Sequence, residues 1–145
     1  RPYRTWTGTA EGDHAGVALD LSATDEHPIL VGAFTGAWYE NEGHGQFPGG
    51  AYRLDATTPT GPLDEVAPVH YLVDGENEGG LSVGFVGDLD ADGVDDVAAY
   101  LPRSPPSPLP AIRIFSADLD GTIAPADAWG SVMRDAEGLA TPIEV

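Results

Sequence analysis

The sequence predicts an all-β protein built from repeated antiparallel strands, and three observations carry that reading. Nineteen glycines and thirteen prolines interrupt the 145 residues every few positions. Between them lie the runs GVALDL, PILVGAF, GGAYRLD, HYLVDG, LSVGFVG, DVAAYLP and AIRIFS. Each is strand-length, rich in β-branched and aromatic residues, and bounded by turn formers. No long segment sustains the apolar period of a helix.

The third observation is an internal repeat. Residues 12–33 align without a gap on residues 80–101, so GDHAGVALDLSATDEHPILVGA falls on GLSVGFVGDLDADGVDDVAAYL. Gly12 meets Gly80, Gly16 meets Gly84 and Asp20 meets Asp88. A fainter third copy covers residues 128–145, with Gly130 on Gly84 and Pro142 on Asp96. Each full unit reads as strand, acidic turn, strand, variable loop, strand and a fourth edge segment. That is a four-stranded antiparallel blade, the unit of a β-propeller.

In chain order, residues 1–8 (with PYRTWTG) read as the last strand of a preceding blade. Residues 9–75 form one blade and residues 76–126 a second. Residues 127–145 supply the first half of a following blade. The total is roughly two and a half blades, whereas closure takes at least about four. The expectation is an incomplete propeller, completed by further blades, another chain or copies of itself, because open strand edges invite pairing.

Composition narrows the function classes. The length suits one domain with one core, and a hydrophobic fraction of 41% exceeds that of a disordered acidic tail. Net charge is −18, with six arginines and no lysine. Nucleic acid and anionic membrane need a basic footprint, so neither is an expected partner. No apolar run is long enough for membrane insertion. The absence of cysteine removes disulfide and thiolate chemistry. The chain opens on Arg1 with no signal-peptide pattern, which fits a processed or trimmed N-terminus.

The chemistry concentrates in GDLDADGVDD, residues 87–96. Counted from Asp88, side-chain oxygens fall at the first, third, fifth and ninth positions: Asp88, Asp90, Asp92 and Asp96. Gly93 permits a sharp bend and Val94 offers its backbone carbonyl. Calcium takes about six to eight oxygen ligands, and carboxylates this close repel one another without a cation. The spacing opens like an EF-hand, but the twelfth position is Ala99 rather than a bidentate Glu, and no helix flanks the loop. An EF-hand is rejected.

VGFVGDLDADGVDDVAAYLP resembles the FG-GAP repeat of integrin α-chain propellers and bacterial surface proteins. GDHAGVALDL, PILVGAF and GGAYRLD resemble the same unit in the first blade. The resemblance implies one Ca²⁺ held by Asp88, Asp90, Asp92, Val94 and Asp96, in the loop joining the first two strands of a blade. The matching positions are Asp20, Ser22, Thr24 and Pro28 in the first copy, and Arg134, Ala136, Gly138 and Pro142 in the third. Those loops lack the acids, so a single calcium is expected, with a structural role.

Three look-alikes are set aside. GLSVG at 80–84 has the spacing of a hydrolase nucleophile elbow, but Ser82 continues as strand and no histidine follows it. SADLDGTI at 116–123 has the acids of a haloacid dehalogenase motif in Asp118 and Asp120, followed by Thr122, but only 22 residues follow Ile123. At most it offers a weak second cation site. His14, His27, His44 and His70 share no ligand spacing.

Loops alternate between the two faces of a blade, so the face opposite the calcium loop carries residues 35–50 and the proline-rich 102–110. Trp38, Tyr39 and Phe47 in the first of these are the candidate contacts for a protein or carbohydrate ligand; covering a propeller edge is their structural alternative. The resulting expectation is a non-enzymatic, calcium-stabilised module outside the cell or on its surface, for adhesion, assembly or ligand binding. The alternative is an accessory propeller portion of a secreted hydrolase whose catalytic part lies elsewhere.

Overall fold

A computed structural model describes residues 3–8, 14–23, 28–33, 50–72, 82–100 and 112–132. Its described residues are mostly strand, with one four-residue helix, α1 (Leu63–Val66), and a 3-10 turn at Pro125–Asp127. The all-β expectation holds.

Two open sheets dominate. In the first, β2 (Ala18–Leu21), β3 (Ile29–Ala33), β4 (Gly50–Leu54) and β6 (Val69–Leu72) run antiparallel in spatial order. In the second, β7 (Ser82–Gly87), β8 (Asp96–Tyr100), β9 (Ile112–Ser116) and β11 (Gly130–Val132) do the same. Two parallel pairs complete the ladder set. β1 (Trp6–Thr7) pairs with β5 (Gly61–Pro62), and β10 (Gly121–Ile123) adds a fifth strand to the first sheet beside β6.

Strand alternation assigns the faces. Leu30, Ala51, Val69 and Tyr71 share one face of the first sheet and meet Val97, Ala99 and Phe115 of the second in a common core. Val83 and Phe85 pack against that core from β7. The Tyr71 and Phe115 rings tilt against each other with centroids 5.3 Å apart. Ile123 of β10 joins the same core. The opposite face of the first sheet holds a second cluster of Val31, Ala33, Tyr52, Leu54 and Leu63, against which Trp6 packs.

The structure corrects two readings. GTI, placed within the second unit, crosses over to pair as a strand with β6 of the first. The fourth strand of the second sheet is β11, so that unit runs through Val132 rather than ending at Ala126. Gly130–Val132 was expected to open a following unit. Both segments are three-residue strands with little side-chain pattern, so only long-range pairing distinguishes them. Residues 133–145, the remainder of the expected third copy, lie outside the described residues.

Candidate metal centre

The acidic loop spans the turn from β7 to β8, and its path follows from backbone geometry. A bulge between Phe85 and Gly87 shifts the register of β7 just before its last pair, Gly87 with Asp96. Gly87 and Gly93 adopt φ of 76° and 93°, and Ala91 adopts 63°, so the loop reverses through left-handed conformations. Its aspartates stabilise those turns themselves. Asp88 Oδ1 accepts from the Asp92 amide at 3.0 Å and its Oδ2 from the Gly93 amide at 2.9 Å. Asp90 Oδ1 accepts from Asp92 N at 3.1 Å, and Asp92 Oδ1 from Val94 N at 2.8 Å.

Asp96 differs from the other three. It opens β8 and is 1% exposed. Its Oδ2 accepts from Leu89 N at 2.8 Å and its Oδ1 from the Trp129 indole Nε1 at 2.9 Å. A buried carboxylate needs such partners, and each oxygen keeps a lone pair.

The fold brings Asp88, Asp90 and Asp96 together, with one carboxylate oxygen of each within 4.8 Å of the others. Oxygens bound to one calcium at about 2.3–2.6 Å are separated by no more than roughly 5 Å, so this spacing fits a shared cation. Loss of hydration pushes the Asp90 carboxyl above its usual value, and the carboxylates of Asp92, Asp96 and Asp88 push it further. A cation would relieve that repulsion. The grouping is of hard oxygen donors and does not by itself select calcium over another hard cation. Asp92 is not part of the grouping; its carboxylate holds the Val94 amide.

The first-copy positions have other employment. The gapless alignment places Asp20 on Asp88, yet Asp20 lies inside β2 rather than in the following turn. Its Oδ2 accepts from Phe85 N at 2.8 Å, bridging the two sheets. Ser22, buried, donates from Oγ to Asp95 Oδ2 at 3.2 Å across the same boundary. Thr24 lies outside the described residues; Pro28 offers its carbonyl to Ser22 N. Sequence reasoning missed this tie, and it missed Trp129, which lies 33 residues beyond Asp96.

Ser82 sits in β7 as strand. Asp118 accepts from Ser116 Oγ at 2.8 Å, and Asp120 pairs with Arg53 at 3.1 Å, so these two acids serve a turn and an ion pair that ties the entry to β10 to β4. His70 stacks on Tyr52 with centroids 4.3 Å apart, and His14 is exposed at a turn. Trp38, Tyr39, Phe47, His27, His44 and residues 102–110 lie outside the described residues, as do Arg134, Ala136, Gly138 and Pro142. Among the described residues no helix is long and apolar enough to cross a membrane.

Compared with protein-family models, curated proteins and solved structures, the chain finds no match.

Proposed function

We propose that the chain is a non-enzymatic, cation-stabilised module whose two four-stranded meanders are blades of a propeller of the FG-GAP, integrin α-like kind. It would serve adhesion, assembly or ligand binding at the cell surface or outside the cell. One observation carries this reading. Asp88, Asp90 and Asp96 converge in the loop between the first two strands of a four-stranded antiparallel sheet, the place the FG-GAP resemblance implies.

Asp88 and Asp90 would hold Ca²⁺ together with Asp96, and Asp92 and the Val94 carbonyl complete the ligand set proposed from the sequence. The cation would supply charge neutralisation, joining the end of β7 to the start of β8. With its positions filled by protein oxygens, the site has a structural rather than catalytic role. Ligand contact falls to Trp38, Tyr39 and Phe47 on the loop after β3, for a protein or carbohydrate partner. Further blades, from this polypeptide, another chain or a second copy, would complete the ring.

Thermal unfolding in millimolar Ca²⁺ and in chelator tests the proposal. The expected result is a higher melting temperature with Ca²⁺ in the wild type and none of that gain in Asp90→Asn. Equal melting curves for the wild type in both buffers would remove the cation from the account.

A further inference from the structure

Two side chains of the first sheet grip the acidic loop of the second at its two ends. Asp20 lies in β2 and Ser22 just past its end, two residues apart and so on one side of the strand. Asp20 Oδ2 accepts from the Phe85 amide at 2.8 Å, at the bulge where β7 leads into the loop. Ser22 Oγ donates to Asp95 Oδ2 at 3.2 Å, at the residue before Asp96. Residues 88–94 of the loop lie between these two anchors.

The anchors are themselves fixed. Ser22 is buried, and its amide donates to Pro28 O at 3.0 Å. Asp20 lies opposite Leu30, which is fully buried in β3. On the loop side, Asp95 O accepts from the Ala117 amide at 2.9 Å. Asp95 is thus held at its carboxylate by the first sheet and at its carbonyl by the turn after β9. The Val94 carbonyl belongs to the planar peptide group that joins Val94 to Asp95, so holding Asp95 aims that oxygen. Asp96, the next residue, has its own partners in Leu89 N and the Trp129 indole. The Val94 carbonyl is therefore the proposed ligand that depends most on Asp95.

We infer that Asp20 and Ser22 are positioning residues for the cation loop of the other sheet, Ser22 acting on the Val94 carbonyl through Asp95. In the internal repeat these two residues align with Asp88 and Asp90. The copy that lacks the acids thus supports the copy that has them. The coupling is reciprocal: whatever the junction between the sheets adds to cation affinity, the cation returns to the junction by the same factor. The inference rests on the proposed cation site and adds to it a dependence on residues that cannot reach the cation themselves.

Isothermal titration of Ca²⁺ into the full chain, with urea denaturation of the same proteins in chelator, tests this. Ser22→Ala is expected to bind Ca²⁺ about 5-fold or more weakly than the wild type, and Ser22→Thr, which keeps the hydroxyl, to recover the affinity. A Ser22→Ala variant that loses stability but binds as the wild type does would make the bond a tie between sheets alone and overturn the inference. Ser22→Thr binding as weakly as Ser22→Ala would overturn it too. If Ser22→Ala does not fold, Asp95→Asn and Asp95→Ala replace it. Both remove the same charge, and only the first keeps an acceptor for the Ser22 hydroxyl. Weaker binding by Asp95→Ala is expected, and equal binding would overturn the inference. All these outcomes leave the proposed function standing, whereas a wild type that binds no Ca²⁺ at millimolar concentration removes both.

Discussion

The Trp129 indole donates a hydrogen bond to Asp96 Oδ1 at 2.9 Å, tying the last acid of the loop to the approach to β11. The Trp129 amide also donates to Ile114 O at 3.0 Å. One residue thus couples the outermost strand of the second sheet to the acidic loop between its first two strands. Trp129→Phe keeps an aromatic ring and removes the indole donor together with part of the side chain's apolar bulk. The expected loss is about 1.5–3 kcal/mol, since the acceptor is a buried carboxylate, together with weaker Ca²⁺ binding. Chemical denaturation with and without Ca²⁺ checks both effects.

The boundary between the sheets depends on Asp20. Its carboxylate accepts the Phe85 amide, and Ser22 donates to Asp95 nearby. Asp20→Ala leaves a half-buried amide without its acceptor, at a cost of about 1–3 kcal/mol. Asp20→Asn retains an acceptor oxygen and is expected to lose less. Urea midpoints of the two variants, compared at unchanged denaturant slope, read the difference.

Gly50 is required by close approach rather than by backbone angle. A Cβ there would stand 2.7 Å from both the His70 Nε2 and the Tyr71 carbonyl oxygen. The second of these is backbone and cannot rotate away. Gly50→Ala is expected to cost about 1–3 kcal/mol through overpacking, seen as a lower melting temperature.

His70 gives stability a pH dependence. Burial pushes its imidazole below the ordinary value of 6.5, with the Asp64 charge opposing. Its Nε2 is buried without a hydrogen-bond partner. The folded protein therefore resists a proton that the unfolded chain accepts. Stability is fully present above pH 6.5 and falls as pH drops through the folded value. His70→Phe keeps a ring beside Tyr52 and removes the titration. Melting temperatures from pH 8 down to about 5 should fall less steeply in the variant than in the wild type.

Asp55 acts at lower pH. The Thr57 hydroxyl, with help from the Thr57 and Thr58 amides and the Thr58 hydroxyl, holds its carboxyl below the usual 3.8 against the opposing effect of burial. Both threonines donate to Asp55 Oδ1, and the Thr58 carbonyl receives Arg4. The contribution is present above pH 3.8 and is lost as pH falls through the folded value. Asp55→Ala should therefore loosen the seat of β1, measured as faster exchange of the Gly61 amide at neutral pH.

Much of the strand pattern was legible because apolar alternation and turn residues are local signals. β3, β4 and β6 to β9 lie in or beside PILVGAF, GGAYRLD, HYLVDG, LSVGFVG, DVAAYLP and AIRIFS. The crossing of β10 was not legible, since a strand of Gly, Thr and Ile does not announce which sheet receives it. The role of Asp20 was misread for a related reason: a gapless alignment cannot see that the turn after β2 is shorter than the loop after β7. At the acidic site, spacing alone brought Asp88, Asp90 and Asp96 forward. It did not show that Asp92 would serve the Val94 amide, or that Trp129 would hold Asp96, because those are facts of side-chain geometry.

Isothermal titration of Ca²⁺ into the wild type and an Asp88→Asn/Asp90→Asn double variant tests the central claim most directly. The account expects one site per chain in the wild type, with a dissociation constant no weaker than about 10⁻⁴–10⁻³ M, and none in the variant. No binding at millimolar Ca²⁺ in the wild type, or equal binding in the variant, would contradict it.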